Sequence, residues 1–208
     1  ILSYFRQQII RKYDECWIPD EENSLFSGKL SRSSKNLHQK YIGVLSRFEK
    51  QELPLEIDVL ILLSGPEPNR TQLEDKLKEI FKTSNKRVCL IQGKVEETQK
   101  ITQLHQLKIV NFMLSDELEH TINSSKIIIC RAGYSSILDL VSLNKEALLI
   151  PTKYQNEQEY LGKHLQEKGV FSSIEEKDID KKIVNISIKP SATDFKKQEF
   201  NRDLFCLF

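Results

Sequence analysis

Between residues 55 and 171, short apolar runs rich in β-branched residues alternate with longer segments in which apolar residues recur at helical spacing. Such alternation is typical of parallel strands joined by right-handed helical crossovers, with helices on both faces of the sheet. The pattern therefore predicts an α/β fold built on a Rossmann-like open parallel sheet. The predicted elements, in chain order, are a strand at Ile57 to Leu63, a helix carrying Leu73, Leu77, Ile80 and Phe81, strands at Arg87 to Ile91 and Lys108 to Phe112, a helix at Asp116 to Asn123, a strand at Lys126 to Cys130, a helix at Ser135 to Leu143, a strand at Ala147 to Ile150, a helix at Glu157 to Lys168 and a last strand from Val170.

Two of the predicted strands are apolar on both faces. Val59 to Leu63 and Ile127 to Cys130 are continuous apolar runs, as expected when helices cover both sides of a sheet. The sheet domain is expected to span residues 54–172. Residues 1–53 hold too few periodic segments to bury a core alone. Residues 173–208 form a charged tail with an apolar end, which is expected to pack back on the domain.

Composition and charge narrow the functional classes. The 208 residues include 39% hydrophobic residues, and 31 basic against 30 acidic side chains give a net charge of +1. This balance argues against a nucleic-acid polymer as partner and against an acidic, disordered chain. The four cysteines are widely spaced without a metal-ligand pattern, so we expect reduced thiols, no metal site, no cofactor and a cytoplasmic location. Apolar runs such as Val59 to Leu63 are much shorter than the ~20 residues of a membrane span.

The carboxyl ends of the strands are the expected place for a ligand. Open parallel sheets bind ligands in the crevice beyond these ends, where the strand order reverses. At the first strand-to-helix junction, Gly65 lets the backbone approach a ligand, and the next helix begins with free N–H groups that suit an anion. Arg70 adds a positive charge suited to phosphate at the same helix entrance. A Pro-rich turn that only starts a helix would explain this junction equally well.

The second junction follows the second apolar strand and carries Arg131 and Gly133. Ser135 and Ser136 come next, at the start of a helix, where a hydroxyl can cap the helix or donate to a phosphate. One turn further, Asp139 is placed to accept hydrogen bonds from ribose hydroxyls. Taken alone, these residues are better explained as a helix cap and an acid that complements the helix dipole.

The third junction is the polar loop from Pro151 to Gln158. Its amide and carboxylate groups, among them Gln155, offer the several donors and acceptors that grip sugar hydroxyls, although ordinary loop polarity explains them equally well. The three junctions lie at one edge of the predicted sheet. They offer a phosphate-binding turn, a Gly-Ser turn with an acid, and an amide-rich loop. Together they predict that the ligand is a nucleoside diphosphate that carries a hydroxylated group.

These junctions lie in stretches that resemble the donor-binding domain of family 28 glycosyltransferases, GT-B enzymes that include the MurG-like N-acetylglucosaminyltransferases. The resemblance covers about residues 55–172, and its string of Arg-x-Gly, an acid, Ile-Pro and Glu-Gln is fairly specific. Residues 1–53 resemble the end of the first GT-B domain and its crossing into the second. The matching stretches are Cys130 to Asp139, Ala147 to Pro151, Gln155 to Leu161, Glu167 to Val170, Tyr13 to Asp20, Gly28 to Ser31 and Tyr41 to Gly43.

The resemblance implies roles for five residues. Asp139 stands where the family usually has a glutamate that binds the ribose hydroxyls, and Ser136 matches a hydroxyl residue near the diphosphate. Arg70 matches a basic residue of the phosphate loop. Met113 matches the position whose backbone recognises the uracil edge, and Gln158 matches a glutamine that contacts the donor sugar.

Two departures from the family pattern concern the phosphate and the sugar. The usual Gly-Gly-Ser phosphate loop is Ser64-Gly65-Pro66 here, and Pro66 has no N–H to donate. Where the motif often has two glutamines, this chain has Gln158 followed by Glu159. The sugar can therefore differ from N-acetylglucosamine, and the nucleotide can differ from UDP.

The resemblance implies a metal-independent, inverting glycosyl transfer. The donor is expected to be a nucleotide sugar, a UDP-linked hexosamine. The loop and the helix end are expected to stabilise the leaving diphosphate. The general base, the acceptor site and any peripheral membrane contact are expected in a missing part of the first domain. No catalytic residue is assigned, the acceptor is unknown, and the isolated chain is expected to be inactive. Two alternatives stay open: a GT-B-type sugar-nucleotide epimerase or hydrolase, and a non-catalytic donor-binding subunit of a split transferase.

Overall fold

The computed structural model describes residue 9, residues 12–31 and residues 38–185. The far part of the predicted tail, residues 186–208 with its apolar end, lies outside the described residues. The described part of the chain divides into two compact units, one ending at Leu45 and the other beginning at Ser46. The second unit contains the sheet and includes the residues just before its first strand.

The smaller unit contains a two-stranded parallel sheet and a buried acidic side chain. Strand β1 (Cys16–Ile18) pairs with β2 (Gln39–Tyr41). The fully buried carboxyl group of Asp20 accepts hydrogen bonds from the backbone N–H groups of Phe26 (3.1 Å) and Ser27 (2.7 Å). Because a buried polar group must be hydrogen-bonded to be tolerated, these bonds hold the loop that follows β1.

The larger unit is an open seven-stranded sheet with helices at its crossovers. Its strands are β3 (Ile57–Leu62), β4 (Val88–Ile91), β5 (Ile101–Leu104), β6 (Leu107–Val110), β7 (Ser125–Cys130), β8 (Glu146–Leu149) and β9 (Ser172–Ser173). Its α-helices among the described residues are α1 (Asn69–Phe81), α2 (Ser115–Asn123), α3 (Tyr134–Ser142) and α4 (Asn156–Glu167), and short 3-10 helices lie at Gly28–Leu30, Glu176–Asp178 and Lys181–Asn185. The order across the sheet is β5-β6-β4-β3-β7-β8-β9, and every neighbouring pair is parallel except β5 with β6. The predicted α/β class and mostly parallel open sheet are confirmed.

The crossover directions place helices on both faces. Helix α1 leads from β3 outward to β4, whereas α3 and α4 lead in the opposite direction across the sheet. Because parallel crossovers are right-handed, α1 covers one face and α3 and α4 cover the other. None of the helices in the described part of the chain has the length and apolar composition needed to cross a bilayer.

Both faces of the central strands are buried in the hydrophobic core. Ile61 and Ile129 point to the face of α1, while Leu60 and Ile128 point to the opposite face, and all four are at most 1% exposed. After β9 the chain returns over the α1 face, where apolar residues of the segment 174–185 join the core. These residues are Ile174, Ile179, Ile183 and Val184.

Two local features differ from the predicted elements. The antiparallel edge strand β5 is not predicted, because all four of its residues are exposed and leave no apolar alternation to detect. The last strand begins at Ser172 rather than at Val170. The N–H groups of Val170 and Phe171 donate to the carbonyl oxygen of Leu165 and close the end of α4, so they are unavailable for strand pairing.

The buried cysteines are expected to be chemically inert. Burial raises the pKa of the Cys89 thiol to about 11 and that of the Cys130 thiol to about 12, so little reactive thiolate forms at mildly alkaline pH. We predict that a maleimide or disulfide reagent modifies the half-buried Cys16 in the native protein, and modifies Cys89 and Cys130 only in denaturant. Peptide mass spectrometry measures this difference. Rapid native labelling of Cys130 would contradict the burial described here.

Candidate functional site

The strand order reverses between β3 and β7. From β3 the chain moves outward through β4 to β6, then returns to β7 on the other side of β3 and continues through β8 to β9. The loops after β3 and β7 therefore diverge and open a crevice at the carboxyl edge, where open α/β sheets bind ligands. The register pairs Leu62 with Cys130, so both loops start from neighbouring positions.

Gly65 shapes the first wall of this crevice. Its backbone φ is +101°, in a region that residues with a Cβ rarely adopt. A Cβ built at this position would meet no heavy atom within 4 Å, and the residue is exposed. The glycine is therefore required by the turn, and the space beside it is open to a ligand.

Gly133 shapes the second wall for a different reason. It is the N-cap of α3 with an ordinary φ of −78°, so its backbone does not require glycine. A Cβ would meet only the Oγ of Ser136, at 3.8 Å. Ser135 is the second residue of the helix rather than its cap. The first-turn N–H groups of α3 have no acceptor within the helix, and Gly133 places no side chain beside them.

Asp139 lies one turn along α3 from the two serines. Ser135 is exposed, while Ser136 and Asp139 are half-buried, and residues three and four apart share a helix face. Burial raises the pKa of Asp139 above its ordinary value, although a hydrogen bond from the Oγ of Ser46 (2.7 Å) and the charge of Arg47 act in the opposite direction. Asp139 therefore shares a helix face with the two serines and already has a hydroxyl partner in Ser46.

Ser46 and Arg47 belong to residues 1–53, which resemble the end of the first GT-B domain and its crossing into the second and hold no predicted site residue. Arg47 donates to the Oγ of Ser115 at the start of α2 (3.4 Å), and its guanidinium lies 4.6 Å from the ring centroid of Phe48. Phe48 is 2% exposed and anchors the segment. No local sequence motif marks Ser46 or Arg47 as neighbours of α3.

Met113 lies in the loop between β6 and α2, at the same carboxyl edge. It is half-buried, and its Sδ accepts a hydrogen bond from the Oγ1 of Thr121 (3.4 Å). The side chain is thus turned toward α2. Recognition of a base by the backbone at this position stays a prediction.

Arg70 lies at the entrance of α1, but its charge is used within the protein. Its Nη1 donates to Glu74 (2.8 Å) and to the carbonyl oxygen of Gln92 (3.2 Å), and its Nη2 contacts Glu67. The side chain is only 8% exposed. Two carboxylates already hold the guanidinium, so the structure does not support the predicted phosphate contact by Arg70.

Arg131 is likewise committed to the protein interior. Its Nη1 pairs with Glu176 (2.7 Å) and donates to the carbonyl oxygens of Ile150 (3.3 Å) and Pro151 (3.4 Å), while its Nη2 donates to that of Asn69 (3.0 Å). The residue is 2% exposed. In the structure Arg131 joins the start of α1 to the loop after β8 and to the segment after β9. These bonds do not support the predicted ligand contact by Arg131, which stays a prediction.

The two glutamines of the third junction bind one another. Gln158 donates to the Oε1 of Gln155 (2.7 Å) and accepts from the N–H of Thr152 (3.0 Å). Both glutamine side chains are half-buried at the start of α4. They order the loop after β8, and a sugar would have to share or replace these bonds.

The structure brings part of the predicted site to the carboxyl edge where the strand order reverses. Gly65 follows β3, and Gly133 with the α3 residues Ser135, Ser136 and Asp139 follows β7. The donors of the two predicted arginines are used by acceptors within the protein. Across the residues that the structure describes, no group of three or more His, Cys, Asp and Glu side chains could hold a metal ion.

Comparison with known proteins agrees with this geometry. The family model for the glycosyltransferase family 28 C-terminal domain matches residues 67–203, more than half of the chain. The chain belongs to glycosyltransferase family 28. Among solved structures, this family 28 chain shares its fold with the spinosyn forosaminyltransferase SpnP (TM-score 0.53, 11% identity, 82% of this chain and 44% of that one) and with the glycotransferase of kitacinnamycin (TM-score 0.51, 12% identity, 69% and 38%).

The curated relatives carry one enzyme name, UDP-N-acetylglucosamine--N-acetylmuramyl-(pentapeptide) pyrophosphoryl-undecaprenol N-acetylglucosamine transferase. The protein from Sulfurihydrogenibium sp. is 23% identical over 207 residues, which are 98% of this chain and 54% of that protein. The protein from Caldanaerobacter subterraneus is 36% identical over 78 residues, 36% of this chain and 21% of that protein. The family 28 chain therefore spans about half the length of the first of these relatives.

Proposed function

We propose that this family 28 chain binds the nucleotide-sugar donor of a glycosyltransferase, a UDP-linked hexosamine, for inverting transfer. The observation that supports this most directly is the position of Gly133 and Asp139 on α3, at the reversal of the strand order. The acceptor site and the general base are proposed to lie in the part of the relatives that this chain does not span.

The binding mode follows from the groups around the crevice. The donor diphosphate is placed at the start of α3, where first-turn N–H groups and the helix dipole favour an anion. The same groups stabilise the charge that develops on the diphosphate as it leaves. Asp139 is one turn away, which suits a ribose carried on the same phosphate, and the ribose would replace Ser46 as its hydrogen-bond partner.

The nucleobase is placed between α2 and α3. Arg47 reaches Ser115 at the start of α2. Burial raises the pKa of Asp139, and the charge of Arg47 opposes this rise, so Arg47 lies near the acid and borders the space beyond the ribose. A guanidinium plane stacks well on a flat conjugated ring. Met113 lies in the loop just before α2, which brings its backbone to the same side.

Asp139 provides the first test. UDP should bind the chain, and Asp139→Asn should weaken that binding about tenfold to a hundredfold, because charge-assisted hydrogen bonds contribute roughly 1.5–3 kcal/mol. Isothermal titration calorimetry measures the change. Asp75→Asn is the matched control, since the Asp75 side chain is 65% exposed on α1 and should leave the affinity unchanged. Equal UDP affinities for the wild type and Asp139→Asn would contradict the ribose assignment.

The pH dependence gives a second readout of the same acid. Because burial raises the pKa of Asp139, the folded protein keeps this proton at pH values where the unfolded chain has lost it. Stability should therefore fall as the pH rises from the ordinary value of 3.8 toward the raised pKa, and Asp139→Asn should remove this slope. UDP affinity should fall as the pH drops through the raised pKa of Asp139. Because UDP also titrates, the effect of Asp139 is read from the difference in UDP affinity between the wild type and Asp139→Asn at each pH.

Gly133→Ala separates space for a ligand from folding. The added Cβ meets only ordinary contact within the protein, so the free energy of unfolding should change by less than about 1 kcal/mol. The same methyl group should weaken UDP binding about tenfold, since it occupies the approach to the helix start. Urea denaturation measures the free energy of unfolding of wild type and variant, and isothermal titration calorimetry measures their UDP affinities. A variant with unchanged UDP affinity would exclude a diphosphate at this surface.

A further inference from the structure

Two adjoining cavities lie beside the loop after β8, away from α3. Their volumes are about 360 and 840 Å³, and they share Lys153, Tyr154, Glu176 and Lys177. Neither is lined by residues of α3. They therefore do not include the α3 residues proposed to bind the diphosphate and the ribose, although Lys153 and Tyr154 belong to the loop of the third junction.

The smaller cavity has a strong excess of positive charge. Lys76, Lys153 and Lys177 line it, and among the described residues the acidic side chain in its lining is that of Glu176. The carboxylate of Glu176 is paired at 2.7 Å with Arg131. Its negative charge is therefore already compensated from the protein interior, and the other charged residues that line the cavity are the three lysines.

The three ammonium groups keep donors available. Lys76 Nζ makes a hydrogen bond to the carbonyl oxygen of Glu176 (2.6 Å), which fixes its position while leaving two of its three N–H donors. Lys177 pairs with Glu175 at 2.8 Å, but both side chains are about 70% exposed, and such surface pairs are weak. Lys153 Nζ lies 4.7 Å from the ring centroid of Tyr154.

Tyr154 marks the boundary between the two cavities. It is 81% exposed, and its φ of +68° is unusual for a bulky residue. The loop bonds described above use Gln155 and Gln158, whereas Lys153 and Tyr154 line the cavities. The loop after β8 thus uses its glutamine amides for its own hydrogen bonds, while its lysine and tyrosine side chains line the cavities.

We propose that the smaller cavity binds a phosphate-type oxyanion, held by Lys76, Lys153 and Lys177, with Tyr154 in contact with the group that carries the phosphate. The volume of about 360 Å³ accommodates a phosphate or pyrophosphate group with a small appendage. The site goes beyond the proposed donor function, because it uses none of the α3 residues. A soluble phosphorylated metabolite and a lipid phosphate headgroup share this chemistry.

Pyrophosphate is the probe for the test. Backbone amide NMR spectra of the chain are recorded during titration with pyrophosphate, with and without saturating UDP. The signals of Lys76, Lys153 and Lys177 should shift in both series. Lys153→Gln combined with Lys177→Gln should weaken this binding about tenfold, since two exposed charge pairs are lost. Lys82→Gln, an exposed lysine at the end of α1, should leave it unchanged.

The outcomes distinguish this site from the donor crevice. Shifts confined to the loops around Gly65 and Gly133, or equal affinity in the double variant, would overturn the proposal. Absence of UDP binding with cavity shifts preserved would contradict only the donor assignment. Cosedimentation with phosphatidylcholine vesicles containing phosphatidic acid, lost in the double variant, would support a lipid source. No binding to either pyrophosphate or these vesicles would exclude the site.

Discussion

Arg131→Met is expected to lower the free energy of unfolding by about 3–5 kcal/mol, as measured for buried ion pairs that lose one partner. The guanidinium is 2% exposed and satisfies the carbonyl oxygens of Asn69, Ile150 and Pro151 together with the carboxylate of Glu176. The methionine side chain fills only part of this volume and leaves these acceptors without a donor. Urea denaturation followed by circular dichroism measures the loss.

Arg87→Met is the matched control for this variant. Arg87 also pairs with an aspartate, Asp58 at 3.1 Å, but its side chain is 49% exposed. Water replaces the lost donor, so the expected change is about 1 kcal/mol or less. Adding Glu176→Gln to Arg131→Met should recover part of the lost stability, because the unpaired charge is removed. Similar denaturation midpoints for Arg131→Met and Arg87→Met would contradict the structural role of Arg131.

Gly93→Ala is expected to destabilise the chain by about 3 kcal/mol, from the combined effects of an unfavourable backbone conformation and a steric overlap. Gly93 follows β4 with a φ of +67°, and a Cβ there would lie 2.3 Å from the carbonyl oxygen of Leu63. That contact is with the backbone, so no side-chain rotation can relieve it. Thermal and urea denaturation measure the effect.

The same substitution should also weaken the proposed donor site. Leu63 directly precedes the loop of Gly65, so a displaced Leu63 carbonyl moves one wall of the crevice. Gly133→Ala provides the comparison, because its Cβ has only ordinary contacts. Gly93→Ala should lower both stability and UDP affinity, whereas Gly133→Ala should lower affinity alone. A Gly93→Ala protein as stable as the wild type would mean that the chain does not make this close backbone approach.

The arrangement of the sheet could be predicted from local patterns. Short stretches of sequence contain the signals for these elements, such as the apolar runs of β3 and β7 and the helical spacing of Leu73 and Leu77. Right-handed crossovers follow from chain chirality. Strand β5 has no such signal, since its exposed residues are held by backbone pairing with β6. Backbone hydrogen bonds are open to nearly any residue type, so composition does not reveal them.

The candidate site could be predicted only in part. Glycines and a helix start at the carboxyl edge are local features, and they drew attention to Gly65, Gly133 and Asp139. Ser46 and Arg47 come to the site from a distant stretch of chain, through packing of Phe48. Sequence distance gave no reason to associate them with α3.

The sequence by itself determined the alternation of strands and helices, the edge at which ligands are expected and the resemblance to family 28. Only the tertiary structure decided which charges are available. In the sequence, Arg70 and Arg131 are two equally basic side chains. In the structure, Glu67 and Glu74 form ion pairs with Arg70. Glu176 forms an ion pair with Arg131. A charge acts on a ligand only where no protein group has already neutralised it, and those partners are brought together by folding.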